Sequence, residues 1–302
     1  VKADQVFFVI SAVQPYKCDV NQILAPPAGI PYRTRWRETW VEPELRGAYR
    51  QAVGKPALLM LRDPEADCVY PLRLARILTA EKISDVYYFE YELQDYVDYP
   101  DSEQAAREQV ALFNHQIEMH HPEYAKAEHE DRRCVFLSGV RAPAAPIPET
   151  DDLTAWGRVV NAIAGVHGVQ GDEFLKVIEI AALGKKPESV RGGYAELGAK
   201  TLYGLKLFQL IPKPLTEPPP SHDIQLEAPE EHARVLRTRQ AAVGKYDTLK
   251  FLFRTLDLKR AEPSFLELTA IPSPGSDGSP FSVYMPVMIR PRITRETVLK
   301  VL

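Results

Sequence analysis

Cysteine is scarce: the 302 residues hold three, Cys18, Cys68 and Cys134. They lie far apart and none forms a Cys-x-x-Cys pair, which speaks against a disulfide scaffold or a zinc ribbon and for a reducing cytoplasm. Long apolar runs are missing too. Val6 to Val13 is apolar but only eight residues long, without a basic flank, which suits a strand rather than a signal core or a membrane span. An excess of one charge is also lacking, since the formal net charge is −4 and the pI near 6.0. That balance excludes a dedicated nucleic-acid coat and a polybasic membrane binder, though not a local basic patch.

Catalytic motifs are wanting in the same way. There is no Gly-x-Ser-x-Gly elbow and no His-Glu-x-x-His pair, and none of the three cysteines sits in a recognisable nucleophile context. Gly165, Gly168 and Gly171 have the wrong spacing for a phosphate loop, and the residues after them read as a strand, so they read as a turn. His167 and His222 are candidate bases only as any histidine is. The sequence implies no cofactor.

Proline, by contrast, is abundant at 26 residues, which favours turns, edge strands and loops over long helices. The segment that stands out is Tyr32 to Val41, YRTRWRETWV, which holds two of the three tryptophans and three arginines. Read at period two, Arg33, Arg35 and Arg37 share one side, and Tyr32, Trp36 and Trp40 the other. A short helix fits the four-residue spacings as well, but the aromatic content favours a strand. A partner strand is available at Asp85 to Tyr99, with Tyr87, Phe89, Tyr91 and Leu93 on one side and Glu90 and Glu92 on the other. Two outcomes follow from that pairing. Either the arginines form cross-strand pairs with the glutamates, or their planar donor forks remain free for a carboxylate or phosphate.

The chain in order predicts a mainly β protein with minor α, an α+β arrangement. Strands at Val6–Ala12, Ala57–Leu61 and Cys68–Leu78, with a loop holding Cys18, a helix start at Pro43 and Pro71 marking an edge or a bulge, give residues 1–100 the character of a small β-barrel or curled antiparallel sheet. A helix opening at Ser102 and ending before Pro122, followed by a polar helical piece over 123–130, reads as a helical connector over 101–131. Residues 132–302 read as a β-sandwich-like domain with one or two helices, one capped by Asp151 or Asp152 and ending at Gly165, and one from Pro229 to about Ala242.

The histidines gather at His115, His120, His121 and His129, near Glu118 and Cys134. His115 and Glu118 share a helical face, but His120 and His121 cannot, so a solvated connector is the better reading and no metal is expected. Further basic groups stand at Arg234, Arg237, Arg239 and Lys245 and at Arg290, Arg292 and Arg295, without interleaved aromatics. The function expected is therefore a non-enzymatic, cytoplasmic, protein-binding adaptor or regulatory protein. Its binding residues would be Tyr32, Arg33, Arg35, Trp36, Arg37 and Trp40, the composition of interface hot spots. The alternatives, in order, are a nucleic-acid or nucleotide-binding module using the same arginines, and a metal-assisted hydrolase using the His115–His129 cluster.

Overall fold

Strand β1 (Gln5–Ser11) is buried along its whole length, and the first sheet assembles around it. It pairs in parallel with β3 (Pro56–Asp63) and antiparallel with β6 (Cys134–Ser138). A strand buried on both faces reads as a continuous apolar run, which explains why QVFFVIS shows no alternation. β4 (Cys68–Ile83), β5 (Val86–Tyr96) and β2 (Pro31–Arg37) complete the sheet in the order β2-β5-β4-β3-β1-β6. The computed structural model describes residues 4–11, 17–122, 134–144, 152–166, 169, 174–186, 190–191, 194–210, 222–237, 239–242, 246–274 and 280–291.

Pro71 does sit at a bulge: the β3–β4 register steps from Leu59 opposite Arg73 to Met60 opposite Pro71, so Leu72 is the extra residue. Two further register shifts between β4 and β5 add local twist and curl the sheet. Phe8 stands at the centre of the concave core, its ring 5.3 Å from Phe89, 5.0 Å from Tyr91 and 6.1 Å from Trp36.

Among the described residues four α-helices accompany this sheet. α1 (Lys17–Leu24) occupies a segment expected to be loop. Its last carbonyls are satisfied from outside: Arg73 Nη1 donates to Ile23 O (2.7 Å) and Pro26 O (2.8 Å), and Tyr96 Oη donates to Leu24 O (2.5 Å). Such caps do not follow local sequence rules, which accounts for the missed helix. α2 (Pro43–Ala48) begins at a proline, as its sequence predicts. α3 (Glu103–His120) is capped by Ser102 Oγ, which accepts from Ala105 N, and buries Ala106, Val110, Phe113 and Ile117. α4 (Asp152–Ile163) buries Trp156, Val160 and Ile163.

Residues up to Phe174 form one compact unit, and the described residues from Leu175 onward form a second. α3 therefore does not divide the chain. It lies on the first unit, where Asn114 Oδ1 accepts from Val69 N (2.8 Å), and Cys134 opens an edge strand of the first sheet instead of a second domain. The expected polar helical piece over 123–130 falls outside the described residues.

The second unit holds two sheets. One runs β12-β14-β10-β7, from β7 (Leu175–Ala182), β10 (Leu202–Leu210), β12 (Ala233–Val235) and β14 (Tyr246–Thr255). The other runs β13-β11-β15-β16-β9-β8, from β8 (Val190–Arg191), β9 (Tyr194–Gly198), β11 (His222–Glu227), β13 (Arg239–Ala242), β15 (Glu262–Pro272) and β16 (Phe281–Arg290). Each alternates buried and exposed residues, as Phe251 and Phe253 against Lys250 and Arg254, or Val283, Met285 and Val287 against Ser282 and Tyr284. Two sheets with one buried face each make a β-sandwich, and Tyr203 Oη of β10 bridges them by accepting from Gly198 N of β9 (2.6 Å).

The helix expected from Pro229 to Ala242 is absent. Its residues make a turn, then β12 and β13, with Leu236 N and Arg237 N donating to Leu252 O. The segment has no apolar stripe at helical spacing, and pairing with β14 outweighs the propensity of its Glu, Ala and Arg residues.

Candidate functional site

β2 is an edge strand, antiparallel to β5 in the register that sets Arg33 opposite Glu90, Arg35 opposite Tyr88 and Arg37 opposite Val86. The strand reading holds to Arg37, and Arg33, Arg35 and Arg37 are all exposed on its outer side. Trp36 is 0% exposed on the inner side, its Nε1 donating to Thr34 Oγ1 at 2.7 Å. It belongs to the core, so it offers a partner no surface. Trp40 also departs from expectation. The chain turns into a 3₁₀ turn over Glu38–Trp40, which lifts Trp40 out of the strand to a half-buried position. There Arg37 lies over its ring at 5.7 Å. Tyr32 is half-buried, 5.4 Å from the Tyr91 ring.

None of the Arg–Glu pairs expected between these two strands forms among the described residues. Arg33 reaches past Glu90 to Glu81 of β4 (3.6 Å) and lies over the Tyr88 ring at 5.2 Å. Glu92 is taken by Arg76 of β4 at 2.8 Å. Arg35 has no hydrogen-bond or ion-pair partner among the described residues. The face thus carries four arginines, at 33, 35, 37 and 76, against three glutamates, at 81, 90 and 92.

The histidines do not converge. His115 is exposed and 4.0 Å from Glu118, and His120 is exposed at the end of α3. His121 leaves the helix and packs tilted against Phe136, ring centroids 4.7 Å apart, with Nε2 3.2 Å from Ser138 Oγ. His129 lies outside the described residues. Among the described residues no group of three or more His, Cys, Asp or Glu is placed to hold a metal ion. Of the other basic groups, Arg239 pairs with Asp223 and Arg290 with Glu196 (2.7 Å), whereas Lys245, Arg292 and Arg295 lie outside the described residues, as do His167, Gly168 and Gly171.

Cys68 and Cys134 are both shifted toward the neutral thiol. Burial, then the charge of Asp63, pushes Cys68 up to about 11, and burial pushes Tyr70 to about 12. Burial also raises Tyr99, whose Oη donates to Pro71 O, and lifts Cys134 further still. In each case folding favours the protonated form. Their contribution to stability is complete below the ordinary thiol value of 9.0 and is lost as pH rises through about 11. The urea midpoint should therefore hold steady to pH 9 and fall between 9 and 11. A midpoint unchanged across that window would contradict this.

No helix among the described residues is long and apolar enough to cross a membrane. No family model and no curated protein matches the chain. Among solved structures, part of the chain is similar to the native conformation of alpha-2-macroglobulin from E. coli, at 14% identity over 38% of this chain and 7% of that one, with a TM-score of 0.24. The chain spans a small fraction of that protein's length, and a likeness at this level carries no argument about fold or function.

Proposed function

We propose that the protein is a non-enzymatic binding protein of adaptor or regulatory kind, which docks another protein on the outer face of β2. The observation that carries this reading is Arg35. It stands exposed at the middle of an edge strand, between Arg33 and Arg37, with no acid bonded to it. Glu90 lies opposite Arg33 and Glu92 is taken by Arg76, so no acid stands across from Arg35. Aromatic rings flank the row at Tyr32, Tyr88 and Trp40, and Arg beside half-exposed aromatics is the chemistry of interface anchors. β2 is the outermost strand of its sheet among the described residues, and a strand edge is a common docking place for another chain. Four arginines against three glutamates make a mixed surface, which suits a protein partner with its own charge pattern better than a uniform polyanion.

Changing Arg33, Arg35 and Arg37 together to serine should leave folding stability within about 1 kcal/mol, since exposed ion pairs contribute little. Capture of the partner from extract should be lost in that variant and should survive nuclease in the parent. Nuclease-sensitive capture with a steep salt dependence would replace the protein partner with nucleic acid. Undiminished capture by a folded triple variant would remove the face from consideration.

A further inference from the structure

Two sets of basic groups stand out among the described residues of the second unit. Arg239, Arg260, Arg290 and Lys200 are each matched to an acid, Asp223, Glu262, Glu196 and Asp257 respectively. Those on the outer face of the β12-β14-β10-β7 sheet are not. There Arg234 stands directly opposite Arg254, and Lys206 directly opposite Lys250. None of the four has an ion-pair partner among the described residues, although Glu179 lies across from Lys206 on its other side. Like charges opposite one another destabilise a sheet. Two such pairs on one face, in a chain of net charge −4, are a cost that an anionic ligand would offset.

Between the two cationic rows runs an apolar band, with Leu252 opposite Gly204 and Gly204 opposite Ala181. Leu183 and Leu236, 56% and 52% exposed, border it, and Leu236 N donates to Leu252 O at 2.8 Å. The band is recessed at Gly204 into an open depression, lined also by Lys185, Lys206, Lys250 and Glu179. A Cβ at Gly204 would meet nothing nearer than 3.9 Å, so packing does not demand glycine there and its missing side chain leaves a hollow.

The spacing selects the ligand. Residues 250 and 254 are four apart on β14, which sets the rows about 13 Å apart at ~3.4 Å per residue. An extended peptide has the same rise. Carboxylates at its first and fifth residues would meet both rows, while the third side chain, on the same face, entered the hollow. We propose that this face binds an extended acidic segment of another protein with the pattern acid–x–apolar–x–acid. A nucleic-acid strand is less well served, because the band is aliphatic and offers its bases no aromatic platform. A bilayer surface would leave the hollow unfilled. The proposal concerns the second unit alone and stands or falls separately from the β2 face.

The probe is a fluorescein-labelled peptide carrying Glu-Thr-Val-Thr-Glu between Gly-Ser flanks, followed by anisotropy with the full chain. A reordered peptide, a single-stranded oligo-dT and phosphatidylserine vesicles are the comparisons. The ordered peptide should bind, less tightly as salt is added. Lys206→Ser with Lys250→Ser, and separately Arg234→Ser with Arg254→Ser, should each weaken it at least about tenfold. Gly204→Val should weaken it similarly by filling the hollow. Lys250→Glu provides an arm that a loss of folding cannot imitate: binding should vanish while the thermal midpoint stays level or rises, because an opposite-charge pair replaces a like-charge one. Absent binding, equal binding of the reordered peptide, indifference to these variants, or tighter binding of oligo-dT or vesicles would each overturn the proposal.

Discussion

Trp36→Ala will lower the unfolding free energy by about 3–5 kcal/mol, the usual cost of deleting a large aromatic from a core. Trp36 is fully buried, packs on Phe8 and loses a hydrogen bond to Thr34 when truncated, leaving that hydroxyl without its donor. Trp40→Ala, four residues on, should cost no more than about 2 kcal/mol, since it gives up a half-buried ring and one cation–π contact with Arg37. Urea denaturation of the two variants beside the parent gives the comparison. Equal losses would mean that both rings serve the same core, as strict alternation through Trp40 implies.

The second large effect is expected at Arg73, which is 0% exposed although it carries a full charge. No carboxylate among the described residues pairs with it. Its guanidinium instead donates to three carbonyls, at Ile23, Pro26 and Gln94, and lies over the Tyr96 ring at 4.3 Å, while Nη2 has no hydrogen-bond partner. The fork thereby ties the end of α1 and the loop after it to β5. Arg73→Met keeps most of the volume and withdraws a charged donor from three carbonyls, and a buried acceptor left without a donor costs about 1–3 kcal/mol. Removing a desolvated charge returns part of that, so a net loss of about 3–5 kcal/mol is expected. Arg73→Lys should recover little of it, because a point charge cannot span three acceptors. Hydrogen exchange should localise the damage, with the amides of α1 losing protection first. Uniform loss across the sheet, or a stability change under about 1 kcal/mol, would show that Arg73 does not hold α1 in place.

Local features of the chain were legible where one neighbour decides the conformation. Ser102 caps α3, Pro43 opens α2, and Pro71 marks a bulge, each by stereochemistry that acts within a few residues. The match of YRTRWR to the tyrosine-rich strand was readable because both alternate and lie near in sequence. What failed depended on distant partners. Cys134 joins β1 across more than a hundred residues, and nothing in CVFLS says which sheet it will enter. Glu230 to Ala242 has helix-forming composition, yet β14 and β11 claim it as strands. Trp40 has the right parity for the core face, but parity lapses once the 3₁₀ turn begins at Glu38.

The candidate sites divide in the same way. The arginine row of β2 lies within one strand and shows in the sequence, whereas Arg234 with Arg254, and Lys206 with Lys250, meet only through register. Whether Arg33 would pair with Glu90 also escaped the sequence. The register put them opposite, yet side-chain reach took Arg33 to Glu81 and left Arg35 without an acid.

Photo-crosslinking from position 35 puts the central claim to its most direct test. A photoreactive phenylalanine analogue in place of Arg35, with Arg33 and Arg37 retained, should form a discrete nuclease-resistant adduct with one protein in extract. Excess unlabelled parent should compete that adduct away, and the Arg33→Ser, Arg37→Ser background should remove it. The same analogue at Glu118, on the exposed side of α3, should give none. Adducts of equal intensity from both positions, or a position-35 adduct indifferent to competition, would contradict the assignment of the β2 face as the binding surface.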